Sequence, residues 1–316
     1  MTGWHLLTGR RFLTGVLVLC TAQLAAQQPA FKAGVELIRI PVSLTQGDKP
    51  VEPGVLTAAD FKVTEDGVPQ TVALFERESL PLSLCMVVDA SGSMAAGSAA
   101  QFAVAALRQV LTRLLPEDEV SIIAFAGYPV VVAPWTPAPD VTKLAMKLEA
   151  QGATSLNDAV VLALEVIGRA RNPRPVVLLI TDGGENSSRT PLSQIVTTRR
   201  QSETQVYAFN VVSPASAQRT IRRGPGGDMS VAATTNLEVL PRLIGDSGGF
   251  EYRVLSGSDA ATLARAFVDD LRFQYTLGYT PLKAFDGKYR RVKIEVNKRG
   301  FRVRHRGGYL ALPATD

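Results

Sequence analysis

Two residue types that build metal and disulfide frameworks are nearly missing from this chain. Its 316 residues include two cysteines, Cys20 and Cys85, and two histidines, His5 and His305. So few cysteines exclude a disulfide scaffold, and the shortage of both types leaves too few soft ligands for a zinc cluster. No G-x-x-x-x-G-K segment is present to cradle a phosphate. Beyond the N-terminal segment, no apolar run is long enough to span a bilayer. Stability must therefore come from apolar burial. A 46% hydrophobic composition at this length supports one or two cored domains.

The N-terminal segment reads as a secretory leader. Arg10 and Arg11 form its basic part, and Phe12 to Ala26 is apolar and ends in small residues before Gln27-Gln28-Pro29. Cleavage after Ala26 is expected, giving a signal peptide over 1–26 and a secreted or periplasmic chain with no transmembrane span. Phe12 directly after the arginine pair fits general secretion better than twin-arginine export, and Leu19 before Cys20 argues against a lipoprotein anchor. An uncleaved N-terminal anchor is the alternative. Cys85 then stands alone inside an apolar run, as a small buried hydrophobe.

The formal net charge of +5 hides a polarised chain. Residues 283–306 carry Lys or Arg at 283, 288, 290, 291, 293, 298, 299, 302, 304 and 306, against Asp286 and Glu295 alone. A basic stretch of this kind suits a solvated face or an anionic envelope surface. Export argues against nucleic acid.

Periodicity divides the chain in three. Ile38, Ile40, Val42 and Leu44 alternate with small or polar residues, as do Phe61 and Val63. Asp66-Gly67 signals a hairpin, with Val68 to Phe75 as its return strand. From Leu82 onward, strands alternate with helices. Apolar runs at Leu82–Val88, Val120–Phe125, Val130–Val132, Val176–Ile180, Val206–Val212 and Phe250–Leu255 are separated by helical patterns. Those patterns include one along Phe102, Ala106, Val110 and Leu114, and others over Leu156–Ile167, Pro191–Ser202, Leu237–Ile244 and Asp259–Phe273. This alternation predicts an α/β fold with a doubly wound, mostly parallel sheet. After Tyr275–Tyr279 the chain returns to β periodicity through Val292, Ile294, Val296, Phe301 and Val303. The expected organisation is a β unit over 27–81, an α/β domain over 82–273 and strands over 274–316 that pack with the N-terminal unit.

Hard oxygen donors cluster at three junctions of the α/β part. Asp89-Ala90-Ser91-Gly92-Ser93 ends the first buried strand. Thr154 opens a helix in Gly152-Ala153-Thr154-Ser155-Leu156. Asp182 ends the strand Val176–Ile180 in Thr181-Asp182-Gly183. In a doubly wound sheet, ligands lie beyond the carboxyl ends of the strands. An all-oxygen set of this kind suits a small hard cation, most naturally Mg²⁺, with Mn²⁺ or Ca²⁺ also compatible. Asp158, four residues after Thr154, fits either the first turn of its helix or a supporting place beside the cation. Glu185 and Asn186 read as solvated rim residues. The stretch 213–235, with Arg219, Arg222 and Arg223, lacks periodicity and reads as a connector or a specificity loop.

These residues resemble the metal-ion-dependent adhesion site of the von Willebrand factor type A family. The resemblance spans about Leu82 to Phe273. It implies that Asp89, Ser91, Ser93, Thr154 and Asp182 hold the metal, with Ser91 and Ser93 coordinating directly and at least one aspartate acting through water. It further implies a protein partner that offers an Asp or Glu carboxylate, in a binding module and not an enzyme. Thr64–Gly67 and Gly278–Pro281 resemble short segments of secreted bacterial proteins related to that family. One competing pattern, Gly245-Asp246-Ser247-Gly248-Gly249, matches the nucleophile segment of trypsin-like proteases. His305 follows this serine instead of preceding it, and the α/β alternation contradicts a double β-barrel, so the glycines are read as a helix stop.

Overall fold

The computed structural model describes residues 37–47, 49–52, 54–77, 80–95, 98–141, 151–211, 239–254 and 260–312. The expected leader over 1–26 and the stretch 213–235 lie outside the described residues.

The N-terminal strands are β1 (Ile38–Gln46), β2 (Lys49–Pro50), β3 (Phe61–Glu65), β4 (Val68–Gln70) and β5 (Leu74–Glu76). There follow β6 (Leu82–Asp89), helix α1 (Ala99–Leu111), β7 (Glu119–Phe125), β8 (Pro129–Pro137) and α2 (Ala138–Val141). Next come α3 (Leu156–Ile167), β9 (Arg174–Thr181), α4 (Leu192–Gln201), β10 (Gln205–Val211), α5 (Val239–Ile244), β11 (Glu251–Val254) and α6 (Ala260–Arg272). The described chain closes with β12 (Tyr275–Tyr279), β13 (Tyr289–Val296), β14 (Phe301–His305) and β15 (Gly308–Leu310).

Six strands form the α/β sheet in the order β11-β10-β9-β6-β7-β8. Every pairing is parallel except β8, which runs antiparallel to β7. The two-residue period of a strand sorts the buried side chains between the two faces. Leu82, Leu84, Met86 and Val88 join Val176, Leu178 and Ile180 in the core beneath α1 and α6. Cys85 and Val87 join Val177 and Leu179 in the core beneath α3, α4 and α5. Burial pushes the Cys85 thiol up to about 12, so it serves as packing.

The remaining strands form two further sheets, β14-β1-β12-β5 with β2 on β1, and β15-β13-β3-β4. Their inner faces meet in a third core of Ile40, Val42, Leu44, Tyr275 and Leu277 from one sheet and Phe61, Val63, Val292 and Ile294 from the other. The chain leaves this layered pair through β5 and re-enters through β12, and the two are antiparallel neighbours, with Leu74 opposite Gly278.

Two strand readings differ from the structure. The return strand expected over Val68–Phe75 is split: β4 pairs with β3 and β5 with β12, so the chain crosses from one sheet to the other between them. Alternation reports which face a side chain occupies and carries no information about which sheet owns it. The short strand expected at Val130–Val132 extends to Pro129–Pro137. It is an edge strand, so Pro134 costs it no ladder bond on the open side and Val130, Val131 and Val132 stay exposed.

Polar side chains fasten the α/β sheet to the β strands. Gln274 donates to Ser43 Oγ at 3.0 Å and to Tyr207 Oη at 3.1 Å, and accepts from Arg174 Nη2 at 2.6 Å. Arg304 pairs with Asp270, which also accepts from Tyr207 Oη at 2.7 Å. His305 lies in β14 as a structural residue. Its Nε2 accepts from the Ile294 N–H at 3.1 Å, and its Nδ1 lies 2.7 Å from the Arg306 carbonyl. That arrangement requires the neutral ring, and burial lowers its pKa below the ordinary 6.5. The unfolded chain therefore binds the proton more readily. Stability from this site is complete above 6.5 and declines as pH falls from there through the folded-state pKa. Denaturant titrations between pH 7 and 5 should show a shallower decline for His305→Gln than for the parent.

Candidate metal centre

Strand parity builds the centre. Asp89 follows Cys85 and Val87 on the face covered by α3, and Thr181 follows Val177 and Leu179 on the same face. Val88 and Ile180 are register partners in adjacent parallel strands, so Asp89 and Thr181 emerge side by side. Thr181 Oγ1 donates to Asp89 Oδ2 at 2.6 Å, and the Ser91 N–H donates to Oδ1 at 2.8 Å. Both oxygens of Asp89 are thus oriented before any ligand arrives.

Beyond Asp89 the chain turns through a short 3-10 segment, Gly92–Ala95. Ser91 and Ser93 bring their hydroxyls to 3.0 Å of each other. This loop is tied to the loop before α3 by two backbone bonds: Gly92 N–H to Gly152 O at 3.0 Å and Gln151 N–H to Ala90 O at 2.9 Å. Gly152, at φ 85°, makes the turn a side chain would strain. Thr154 is 3% exposed at the start of α3, and Asp182 is 6% exposed just past β9. A single point beside Gly184, where a Cβ would stand, is 3.1 Å from Asp182 Oδ1 and 3.6 Å from Thr154 Oγ1. All five predicted residues therefore lie on the loops at the carboxyl ends of β6 and β9 and at the N-terminal end of α3.

The electrostatics favour a cation. Burial raises the Asp89 pKa to about 6, and the negative charge of Asp182 pushes it the same way. A bound cation would offset both effects. Among the described residues, no three His, Cys, Asp or Glu side chains cluster as a metal site. A centre here has only two carboxylates, so it depends on hydroxyl oxygens, a donor set that fits a hard ion.

Three neighbouring residues have roles that sequence reasoning missed or misassigned. Thr181 went unnoticed, although its place one residue before Asp182 and its strand parity both point to Asp89. Glu185 is not a solvated rim residue: it accepts from the N–H groups of Asn157, Ser187 and Ser188 and from Ser188 Oγ. Asn186 is exposed, yet its Oδ1 accepts from the Thr154 N–H at 2.8 Å. The pair ties the loop after Asp182 to the start of α3. Asp158 does related work, accepting from the N–H groups of Arg189 and Thr190, both at 3.0 Å. Burial works against its ionisation, but these bonds outweigh it and hold the carboxyl below the ordinary range. Ser247 of the protease-like segment is 2% exposed, and its hydroxyl is engaged by Ile244 O, Val206 and the Gly249 N–H.

Replacing Thr181 by Val should lower divalent-metal affinity about 10-fold to 100-fold, the usual effect of losing a group that orients a ligand. Calorimetric titration with Mg²⁺ or Mn²⁺ reads it directly, and an unchanged affinity would deny Thr181 that role.

A doubly wound sheet with a carboxylate and hydroxyl cluster beyond its strand ends defines an α/β domain built to present loops on one face. Residues 84–185 match the von Willebrand factor type A domain, and the chain carries a domain of that family. It is 25% identical over 218 residues to inter alpha-trypsin inhibitor heavy chain 4 of Mus musculus, covering 62% of this chain and 21% of that protein. To the Homo sapiens heavy chain H4 it is 25% identical over 209 residues, covering 61% and 20%. The chain thus spans about a fifth of the length of these curated relatives. The solved von Willebrand factor type A protein from Catenulispora acidiphila shares the fold with a TM-score of 0.50 and 13% identity, over 89% of this chain and 73% of that one.

Proposed function

We propose that this chain is a secreted or periplasmic protein-binding module and not an enzyme. In this reading Asp89, Ser91, Ser93, Thr154 and Asp182 hold a divalent cation, Mg²⁺ first and Mn²⁺ or Ca²⁺ as alternatives, and the partner contributes an Asp or Glu carboxylate. The observation that carries it is the meeting of two buried carboxylates and three hydroxyl side chains at the carboxyl ends of the parallel strands. When bound, the ion supplies a positive, oxygen-seeking position that an incoming carboxylate can complete.

The chain's own residues do the rest. Thr181 and the Ser91 N–H fix the Asp89 carboxylate, so little reorganisation is needed on binding. Asn186 and Glu185 hold the loop after Asp182 against α3. The β7–β8 turn borders the same face, because the Ala126 carbonyl accepts from both the Ser155 N–H and Ser155 Oγ at 2.8 Å. That turn presents Tyr128, 75% exposed, as an apolar contact beside the centre. Aromatic side chains of this kind are favoured anchors in protein interfaces.

In the same reading the expected organisation stands as a proposal: signal peptide 1–26, β unit 27–81, metal-binding domain 82–273, and strands 274–316 completing the β unit. An alternative, an envelope component that binds anionic surfaces through its basic strands, is disfavoured by ion pairing. Lys283, Lys288, Arg290, Lys293, Lys298, Arg304 and Arg306 all meet acidic partners within the chain. Affinity capture by an immobilised acidic protein, run with Mg²⁺ and with EDTA, separates the readings. Retention lost in EDTA supports the metal-dependent module. Retention that survives EDTA and disappears at high salt supports the anionic surface.

A further inference from the structure

At the opposite pole of the α/β sheet, where α4 ends and β10 begins, three arginines converge on one small cavity. Arg199, Arg200 and Arg306 line it together with Ser202, Thr204 and Tyr289. Two of the three are balanced. Arg200 pairs with Asp246 at 3.2 Å and lies over the Tyr289 ring, and Arg306 pairs with Glu203 at 2.8 Å. Arg199 has no ion pair among the described residues, although it is only 3% exposed. Its Nε has no hydrogen-bond partner, and neither has the Nε of Arg306, which is 5% exposed.

A buried guanidinium cannot relieve its burial by losing a proton under ordinary conditions, since arginine stays protonated in proteins. Leaving such a charge unpaired is among the costlier arrangements a fold can hold. Asp246 also acts on Arg199 through space, but three arginines against two carboxylates leave the cavity a surplus of one positive charge. Its volume of about 10 Å³ is near the minimum for one water-sized occupant. Phosphate, sulfate and a partner's carboxylate are far too large for it, whereas chloride, only slightly larger than water, fits with a small outward shift of the partly exposed Arg200, Glu203 and Asp246 side chains.

We propose that this cavity is a halide site, taken by chloride, in which the Nε groups of Arg199 and Arg306 donate to the ion. The ion would join α4 to the segment that carries Arg306 between β14 and β15, so its occupancy strengthens the attachment of the β strands to the α/β sheet. This site is separate from the candidate metal centre and does not depend on it.

The test compares melting of the full chain in chloride and in gluconate at equal ionic strength, together with diffraction from crystals soaked in bromide. The expected result is a saturable rise in Tm of about 2–4 °C with chloride. It comes with an anomalous bromide peak between Arg199 and Arg306, and Arg199→Gln abolishes the chloride response. Equal melting in the two salts with only water between the arginines overturns the proposal. A bromide peak without any chloride-dependent stability also overturns it, since it marks an adventitious ion only. Should Arg199→Gln fail to fold, the parent's chloride response and bromide map decide the question by themselves.

Discussion

Asp89→Ala is expected to abolish Mg²⁺ binding and metal-dependent association while leaving a folded protein. The loss should exceed the ~10-fold to 100-fold typical of removing a supporting group, because Asp89 is itself a proposed ligand. Survival of the fold follows from two opposing terms. The substitution removes the bonds from the Ser91 N–H and Thr181 Oγ1, each worth about 1 kcal/mol net. It also removes a carboxylate whose ionisation burial and Asp182 both oppose. The net change in stability should stay within about 1–2 kcal/mol. Circular dichroism and a denaturant melt check the fold, and a capture assay with and without EDTA checks association. Partner binding that persists unchanged in the variant removes the metal mechanism.

Asp118→Ala should have the largest effect on stability without involving the centre. Asp118 is 1% exposed and sits at the amino-terminal pole of the sheet, just before β7. Its Oδ1 accepts from the Leu82 N–H at 2.9 Å, where β6 begins, and its Oδ2 accepts from the Leu115 N–H at 2.7 Å, in the turn after α1. It also forms the ion pair with Arg272 at the end of α6. One carboxylate thus joins the start of a central strand, the exit of one helix and the end of another. Removing it leaves the buried Leu82 N–H and the partly buried Leu115 N–H without this acceptor and breaks a buried pair. Such losses cost about 3–5 kcal/mol. Tm should fall by about 5–9 °C for a protein of this size. A shift of a degree or less would mean that the three elements are held by packing alone.

The parts of the fold that the sequence disclosed are those governed by period. The run Leu82–Val88, apolar except for Ser83, reads as a strand covered on both faces, and the structure buries all of Leu82–Asp89. Once β6 and β9 are neighbours, their parity places Asp89 beside Thr181. The contribution of Thr181 was hidden only because a lone threonine in a strand carries no motif. Glu185 and Asn186 were misread for a different reason. Their bonds reach α3, about thirty residues away in the chain, and loop composition alone cannot distinguish a side chain in water from one holding a distant N–H. The split of Val68–Phe75 between β4 and β5 has the same origin, since ownership by one sheet or another is settled by tertiary pairing. The basic stretch 283–306 was legible as charge but not as ion pairs, because Asp60, Asp66, Glu203 and Asp270 come from distant parts of the chain.

Occupancy of the metal centre is read most directly from the anomalous signal of crystals grown with Mn²⁺. One strong peak is expected among Asp89, Ser91, Ser93, Thr154 and Asp182, absent from Asp89→Ala crystals of the same form. Full-occupancy Mn²⁺ elsewhere, or a well-ordered centre with no peak at saturating metal, would contradict it.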